Sequence, residues 1–311
     1  MGAGGSDSFP LDVPRLLHAS AVRGGPPVGR LLLVGVGLAV ALPLLWPGVV
    51  GQTLSALALL GTLVAIIMLS AGTYRGFVVE QQRVQQVEDL VQLRRWQEAA
   101  MLLEALMSRP MRNPVARWRA MVMLSAVLMR YHRFEDAIAV HDLLLSEQGL
   151  DSRSEYGIRV ARAMAMLRLD RLYDADRAIS ELRRMTVRSD DRRRPEEIGG
   201  WMPAAADSAG LALVEMYRDV KTGHPQEALD LFRDALPTLR RQLGVQSGQA
   251  FALAARAAEL LGREDDARRW WQDATTLVPA SELLRRYTEI GSLARFPVAE
   301  MPAALRAVGA A

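Results

Sequence analysis

Residues 250–279 read AFALAARAAELLGREDDARRWWQDATTLVP, and their reading decides the fold. Phe251, Ala254, Ala255, Ala258 and Leu261 recur at three- and four-residue steps, which places them on one face of a helix. Gly262-Arg263-Glu264 then turns the chain. Ala267, Trp270, Trp271, Ala274 and Leu277 form an answering face, and Pro279 ends it. Small residues on the first helix allow the second to lie close, with the tryptophans filling the space beside them. The stretch is an antiparallel helix pair.

The same pattern recurs upstream. Ala99, Ala137, Ala175, Ala228 and Ala267 each follow a polar turn and open an amphipathic helix, at separations of 38, 38, 53 and 39 residues. Four positions on stand Leu103, His141, Ile179, Phe232 and Trp271. Seven positions on stand Leu106, Leu144, Leu182, Ala235 and Ala274. Offsets of zero, four and seven share one helix face, so the columns describe one buried stripe five times. The 53-residue step holds an insertion, residues 186–206, whose mixed charge, Gly199-Gly200 and Pro203 mark a loop around Trp201-Met202.

Residues 250–279 closely resemble a tetratricopeptide repeat. Arg133-Phe-Glu-Asp-Ala-Ile-Ala-Val140 and Gly223-His-Pro-Gln-Glu-Ala-Leu-Asp-Leu-Phe232 resemble the turn and second helix of two more, and Arg95-Trp-Gln-Glu-Ala99 and Arg171-Leu-Tyr-Asp-Ala175 do so more weakly. The resemblance, to membrane-anchored bacterial members of that family, covers about residues 80–280. It implies an all-α solenoid of about five helix pairs over residues 77–291, with first helices lining a concave groove. The units run to 38 residues or more, longer than the family's usual unit, implying longer helices or turns. A capping helix is expected over 281–291 with Ser281 as N-cap. Residues 292–311 read as a tail.

Residues 31–74 carry no charge, although charged residues make up 23% of the chain. A bilayer core about 30 Å thick needs roughly 20 apolar helical residues. Residues 28–47 and 51–72 each supply that length. Pro47 and Gly48 after Trp46, followed by Gly51-Gln52-Thr53, read as a turn between them. The expectation is a two-helix transmembrane hairpin, residues 28–72, after a disordered tail, residues 1–27. Arg15, Arg23 and Arg30 precede it, Arg75, Arg83, Arg94 and Arg95 follow it, and the connecting turn has none. By the positive-inside rule both termini and the solenoid face the cytoplasm, in an inner or cytoplasmic membrane. Small pairs such as Gly35 with Ala39 and Gly61 with Ala65 suit packing within the hairpin, or between copies as a homo-oligomer.

Composition narrows the chemistry. There is no cysteine, hence no disulfide, thiolate zinc site or cysteine nucleophile. Lys221 is the one lysine among 38 basic residues, so no Gly-Lys-Ser/Thr phosphate loop exists. A net charge of +3 gives little support to nucleic-acid binding. His18, His132, His141 and His224 show no metal-ligand spacing, and no nucleophile elbow is present. Neither an enzyme nor a cofactor is expected.

Binding is the expected function. Arg130 and Arg168 are one 38-residue period apart, and Lys221 follows at the 53-residue step; all three fall near the end of a first helix. Val122, Val160, Met129, Leu167 and Tyr217 lie beside them. An apolar floor with a basic edge suits a peptide bearing hydrophobic anchors and acidic residues. The Lys/Asn pattern with which chaperone-binding family members clamp a terminal carboxylate is absent. The expected role is a membrane scaffold that recruits partner proteins through its solenoid. The alternatives are an extracytoplasmic assembly factor of the envelope and an accessory subunit of a membrane enzyme complex.

Overall fold

The structure, a computed structural model, describes residues 11–21, 33, 34, 36, 37, 41, 49–147, 151–191 and 206–297. Among these the chain is all-α. Its helices are α1 (Val13–Ala19), α2 (Val49–Gln92), α3 (Trp96–Met107), α4 (Pro114–Arg130), α5 (Phe134–Ser146) and α6 (Ser152–Arg168). They continue with α7 (Leu172–Asp191), α8 (Ala206–Thr222), α9 (Pro225–Leu243), α10 (Gly248–Leu260), α11 (Glu264–Leu277) and α12 (Ala280–Arg286). Short 3-10 segments, Gly244–Ser247 and Thr288–Arg295, precede α10 and follow α12. The chain divides into two compact units, residues 1–144 and 145–311.

In the first unit α2 packs on α3 and on α4, and α3 packs on α4. Helix α2 is 44 residues long, roughly 66 Å at 1.5 Å per residue. Its two parts meet different surroundings. Leu60, Ile67 and Met68 are 57%, 56% and 70% exposed, whereas Val84 and Val87 are fully buried. Among the described residues this is the one helix long and apolar enough to cross a membrane, and none of its apolar window is buried in the protein.

That helix revises the expected hairpin. Gly51-Gln52-Thr53, read as a turn, is helical. The boundary expected between the anchor at residue 72 and the repeats at residue 77 falls inside one unbroken helix. The described residues therefore hold one apolar helix and not a pair. The first expected span lies outside them, apart from residues 33, 34, 36, 37 and 41. Glycine and threonine persist in apolar helices because a helix satisfies its own backbone groups, the demand that dominates in an apolar medium.

The expected N-terminal tail also differs. Asp12 caps α1 by accepting from the Arg15 amide at 3.1 Å, and Leu11, Val13 and Leu16 are buried. Helix α1 packs on α3, and Arg133 Nη1 donates to the Leu11 carbonyl at 2.6 Å.

The five alanine units share one turn geometry. Residues in the left-handed region fall five positions before each alanine: Arg94, His132, Asp170, Gly223 and Gly262, at φ between 58° and 80°. The next amide then reaches back to the first helix: Arg95 to the Leu90 carbonyl, Arg133 to Leu128, Arg171 to Met166, His224 to Asp219 and Arg263 to Ala258, at 2.8–3.0 Å. This is the Schellman closure of a helix C-terminus. Each alanine is the fourth residue of the second helix, and all five are fully buried. The positions four and seven on are buried too, except Ala235.

In the second unit α6 packs on α7, α8 on α9 and α10 on α11, while α6 also meets α8, and α8 meets α10. First helices thus stack on first helices, as repeats do when each covers its neighbour's apolar face. Phe232 of α9 stands edge-on to Phe251 of α10 and to Trp270 of α11, at 5.2 and 5.5 Å between ring centres. Trp271 is fully buried. Gly248 lets α10 begin against the end of α11: a Cβ there would lie 2.8 Å from Val278 and 3.1 Å from the Ala274 carbonyl. Of the expected insertion, residues 186–191 extend α7, Ala206 opens α8, and residues 192–205, with Trp201 and Met202, lie outside the described residues.

The C-terminal cap is not the single helix expected over 281–291. Helix α12 starts at Ala280, behind Pro279 rather than Ser281, and stops at Arg286 because Tyr287 is extended. The following 3-10 segment carries Ile290 and Leu293, both fully buried, and Phe296 is nearly so. Packing therefore continues past residue 292, where the tail was expected to begin.

Candidate functional site

The residues expected to line a groove fall in both units. In the first, Arg130 is the last residue of α4, half-buried, with its guanidinium 5.8 Å from the centre of the Trp96 ring. Val122 and Met129 on the same helix are half-buried. In the second, Arg168 ends α6, Lys221 lies in the last turn of α8, and Val160 and Leu167 are on α6. Leu167 and Tyr217 are buried rather than floor residues open to a ligand. Val160 lies against Gly210 of α8, where a Cβ would be 3.2 Å from its side chain.

The second unit joins its cations into one cluster with residues from the C-terminal segment. The Arg168 guanidinium sits 5.5 Å over the Tyr287 ring, and Tyr287 meets Tyr217 edge-on at 5.0 Å. Lys221 Nζ pairs with Asp170 and with Glu289, at 2.9 Å each, and lies 5.6 Å from the Tyr217 ring centre. The Tyr217 hydroxyl donates to Glu289 at 3.0 Å, and the Tyr287 hydroxyl to Gln249 of α10 at 2.8 Å. Both cations are therefore matched from within the chain. A ligand that used either would have to exchange with Tyr287, Asp170 or Glu289.

The protonation equilibria reflect this burial. Burial lowers the pKa of Arg168, and neighbouring Arg286 adds to that, while Tyr287, Tyr217 and Glu289 oppose it. Burial works against the Lys221 charge, but hydrogen bonds to Asp170 and Glu289 outweigh it and raise its pKa. Burial likewise works against ionised Glu289, and the Lys221 hydrogen bond outweighs it, so its pKa is lowered. Burial and the Glu289 carboxylate push the Tyr217 phenol well up. Lysine ammonium, glutamate carboxylate and neutral tyrosines form a charge-matched cluster, which is the arrangement burial requires.

Sequence reasoning missed Tyr287 and Glu289. They lie within the helix expected over 281–291, and that placement carried no signal of the side to which the segment returns. A buried aromatic and an acid two residues apart, Tyr287-Thr288-Glu289, was the trace available. His141 is buried in the alanine stripe, where its column neighbours are apolar. Among the described residues no group of three His, Asp or Glu side chains is placed to hold a metal ion. No family model, curated protein or solved structure matches the chain. What identifies it is its architecture, an all-helical chain of sequentially packed helix pairs.

Proposed function

We propose that the chain is a membrane-anchored helical-repeat scaffold that recruits a partner protein at the membrane surface. The observation carrying this reading is α2, whose exposed apolar part runs without a break into a part packed as the first helix of the repeats. Residues 49–74 carry no charge and span roughly 39 Å of helix, enough for the hydrocarbon core. The cytoplasmic side belongs to the same reading, on the strength of Arg75, Arg83, Arg94 and Arg95, which follow the apolar part of α2. So does the tetratricopeptide-like solenoid, on the repeated turns and alanine stripe. Tethering raises a partner's local concentration near the bilayer without any catalytic group. Each unit offers its own candidate recognition surface at the basic ends of its first helices: Arg130 with Val122 and Met129 in the first, and Arg168 and Lys221 in the second. An acidic partner segment would take the place that Glu289 and Asp170 hold at Lys221.

The test is affinity capture of the full chain from solubilised membranes, beside its Arg130→Glu/Lys221→Glu variant. A stoichiometric protein partner held by the intact chain and lost from the variant is expected. Capture of the same partners by both forms would remove the basic ends from the recognition surface.

A further inference from the structure

The turn between α3 and α4, residues 108–113, is held against α2 where the uncharged stretch ends. Glu80 of α2 accepts from the Arg112 amide at 3.0 Å and from the Asn113 amide at 2.8 Å. Asn113 in turn caps α4, accepting from the Val115 and Ala116 amides at 2.9 and 3.2 Å. The backbone of the turn is thereby fixed to one level of α2. Glu80 spends its carboxylate on that backbone. The Arg112 guanidinium is directed along α2 toward the apolar side, with Nη1 donating to the Gly72 carbonyl at 3.5 Å. Gly76 makes room for it, because a Cβ there would lie 2.9 Å from that nitrogen.

Around this point the side chains sort as they do at a membrane surface. Arg75, the first charge after residues 31–74, is exposed, and so are Arg109 and Arg112. None of the three forms an ion pair among the described residues, whereas Arg119, farther along α4, pairs with Glu88 of α2. Tyr74, Phe77 and Val115 are 70%, 38% and 65% exposed beside them. Arginine with exposed aromatic and aliphatic side chains is the composition of the headgroup zone, where guanidinium meets lipid phosphate in bidentate fashion.

We propose that Arg75, Arg109 and Arg112 bind the phosphate headgroups of anionic lipids at the boundary of α2, and that the Glu80-held turn fixes the depth at which the first unit meets the bilayer. The inference rests on the membrane reading of α2. Its occupant is lipid because these cations adjoin 26 helical residues without charge, residues 49–74.

The experiment uses the full chain in detergent, titrated with phosphatidylglycerol or phosphatidylcholine, with bound lipids counted by native mass spectrometry. Each basic side chain near an anionic surface contributes about a fivefold preference. Phosphatidylglycerol should therefore be retained in roughly hundredfold excess, falling to about fivefold in the Arg75→Gln/Arg112→Gln variant, which keeps Arg109. Both side chains are exposed, so an unchanged melting curve is expected to show that the variant is folded. Equal retention of the two lipids by the intact chain, or an unchanged excess in the variant, overturns the proposal. A carbonate wash of the source membranes separates the two readings. A chain retained in the membrane with no lipid preference refutes this site alone, and a chain released by carbonate refutes the membrane reading and the site together.

Discussion

The repeats begin and end differently. At the first end, α2 leaves a long apolar surface uncovered and carries it straight into a helix whose Val84 and Val87 are buried. At the other end, the chain folds its last segment back, so that Tyr287, Ile290 and Leu293 are fully buried and Glu289 pairs with Lys221. Both ends face the same problem, since a terminal repeat has an apolar face and no neighbour to cover it. The C-terminal end covers that face with the chain's own side chains. The N-terminal end continues into a surface that water does not stabilise, and a bilayer is the medium that would. Helix formation is common to the two ends. What differs is how much of its apolar surface each end covers with the chain's own side chains.

The largest effects should come from putting a charge into each end. Leu293→Arg places an unpaired guanidinium in a fully buried site, and a loss of about 4 kcal/mol or more is expected in chemical denaturation. Leu63→Arg should leave that transition unchanged while weakening membrane retention by about 3 kcal/mol, read as release in carbonate. A destabilised soluble portion in Leu63→Arg would break the comparison, because it would mean that α2 is covered by protein along its apolar part.

Glu289→Gln tests how tightly the C-terminal end is closed. Removing the carboxylate leaves Lys221 with Asp170 alone in a half-buried position, and about 2 kcal/mol should be lost at neutral pH. The sign with pH follows from the shifts. The Glu289 pKa is depressed, so its contribution is present above the unfolded glutamate pKa and disappears as pH falls through the lower folded value. The Lys221 pKa is raised, so its contribution is present below the unfolded lysine pKa and is lost as pH rises through the higher folded value. Melting temperature against pH for both forms should converge in acid. Parallel curves at every pH would mean that the pair does not hold the segment down.

Smaller effects should come from the turns. Gly262 holds its left-handed conformation without strain, so Gly262→Ala should cost about 1 kcal/mol. Arg94 adopts the same conformation with a side chain, and Arg94→Gly should stabilise the first unit by a similar amount or less. Gly76→Ala should raise helix stability by up to about 1 kcal/mol while displacing the Arg112 guanidinium, a shift visible as faster tryptic cleavage after Arg112.

Much of the fold was legible in the sequence. The alanine column and its companions at four and seven fix which face of each second helix is buried, because helical period alone relates them. All five turns were legible from their polar residues, but the left-handed residue in each was marked only where glycine fills it, at Gly223 and Gly262. Arg94, His132 and Asp170 adopt the same backbone, and their identity gives no sign of it. Of the groove residues, Arg168 and Lys221 fall in the last turns of α6 and α8, while Leu167 and Tyr217 are buried. That the first two are matched by Tyr287 and Glu289 was not readable, because the pairing joins residues 68 or more positions apart.

The sequence by itself determined the helices, their pairing across short turns, and one long stretch of apolar composition, since each depends on local period or composition. Tertiary structure alone decided that α2 is one helix serving two surroundings and that the turn at Arg112 is fixed by Glu80. It also decided that the C-terminal segment closes over Arg168 and Lys221. Those outcomes depend on which surfaces meet after folding, and residues far apart in the chain carry no local mark of where they will meet.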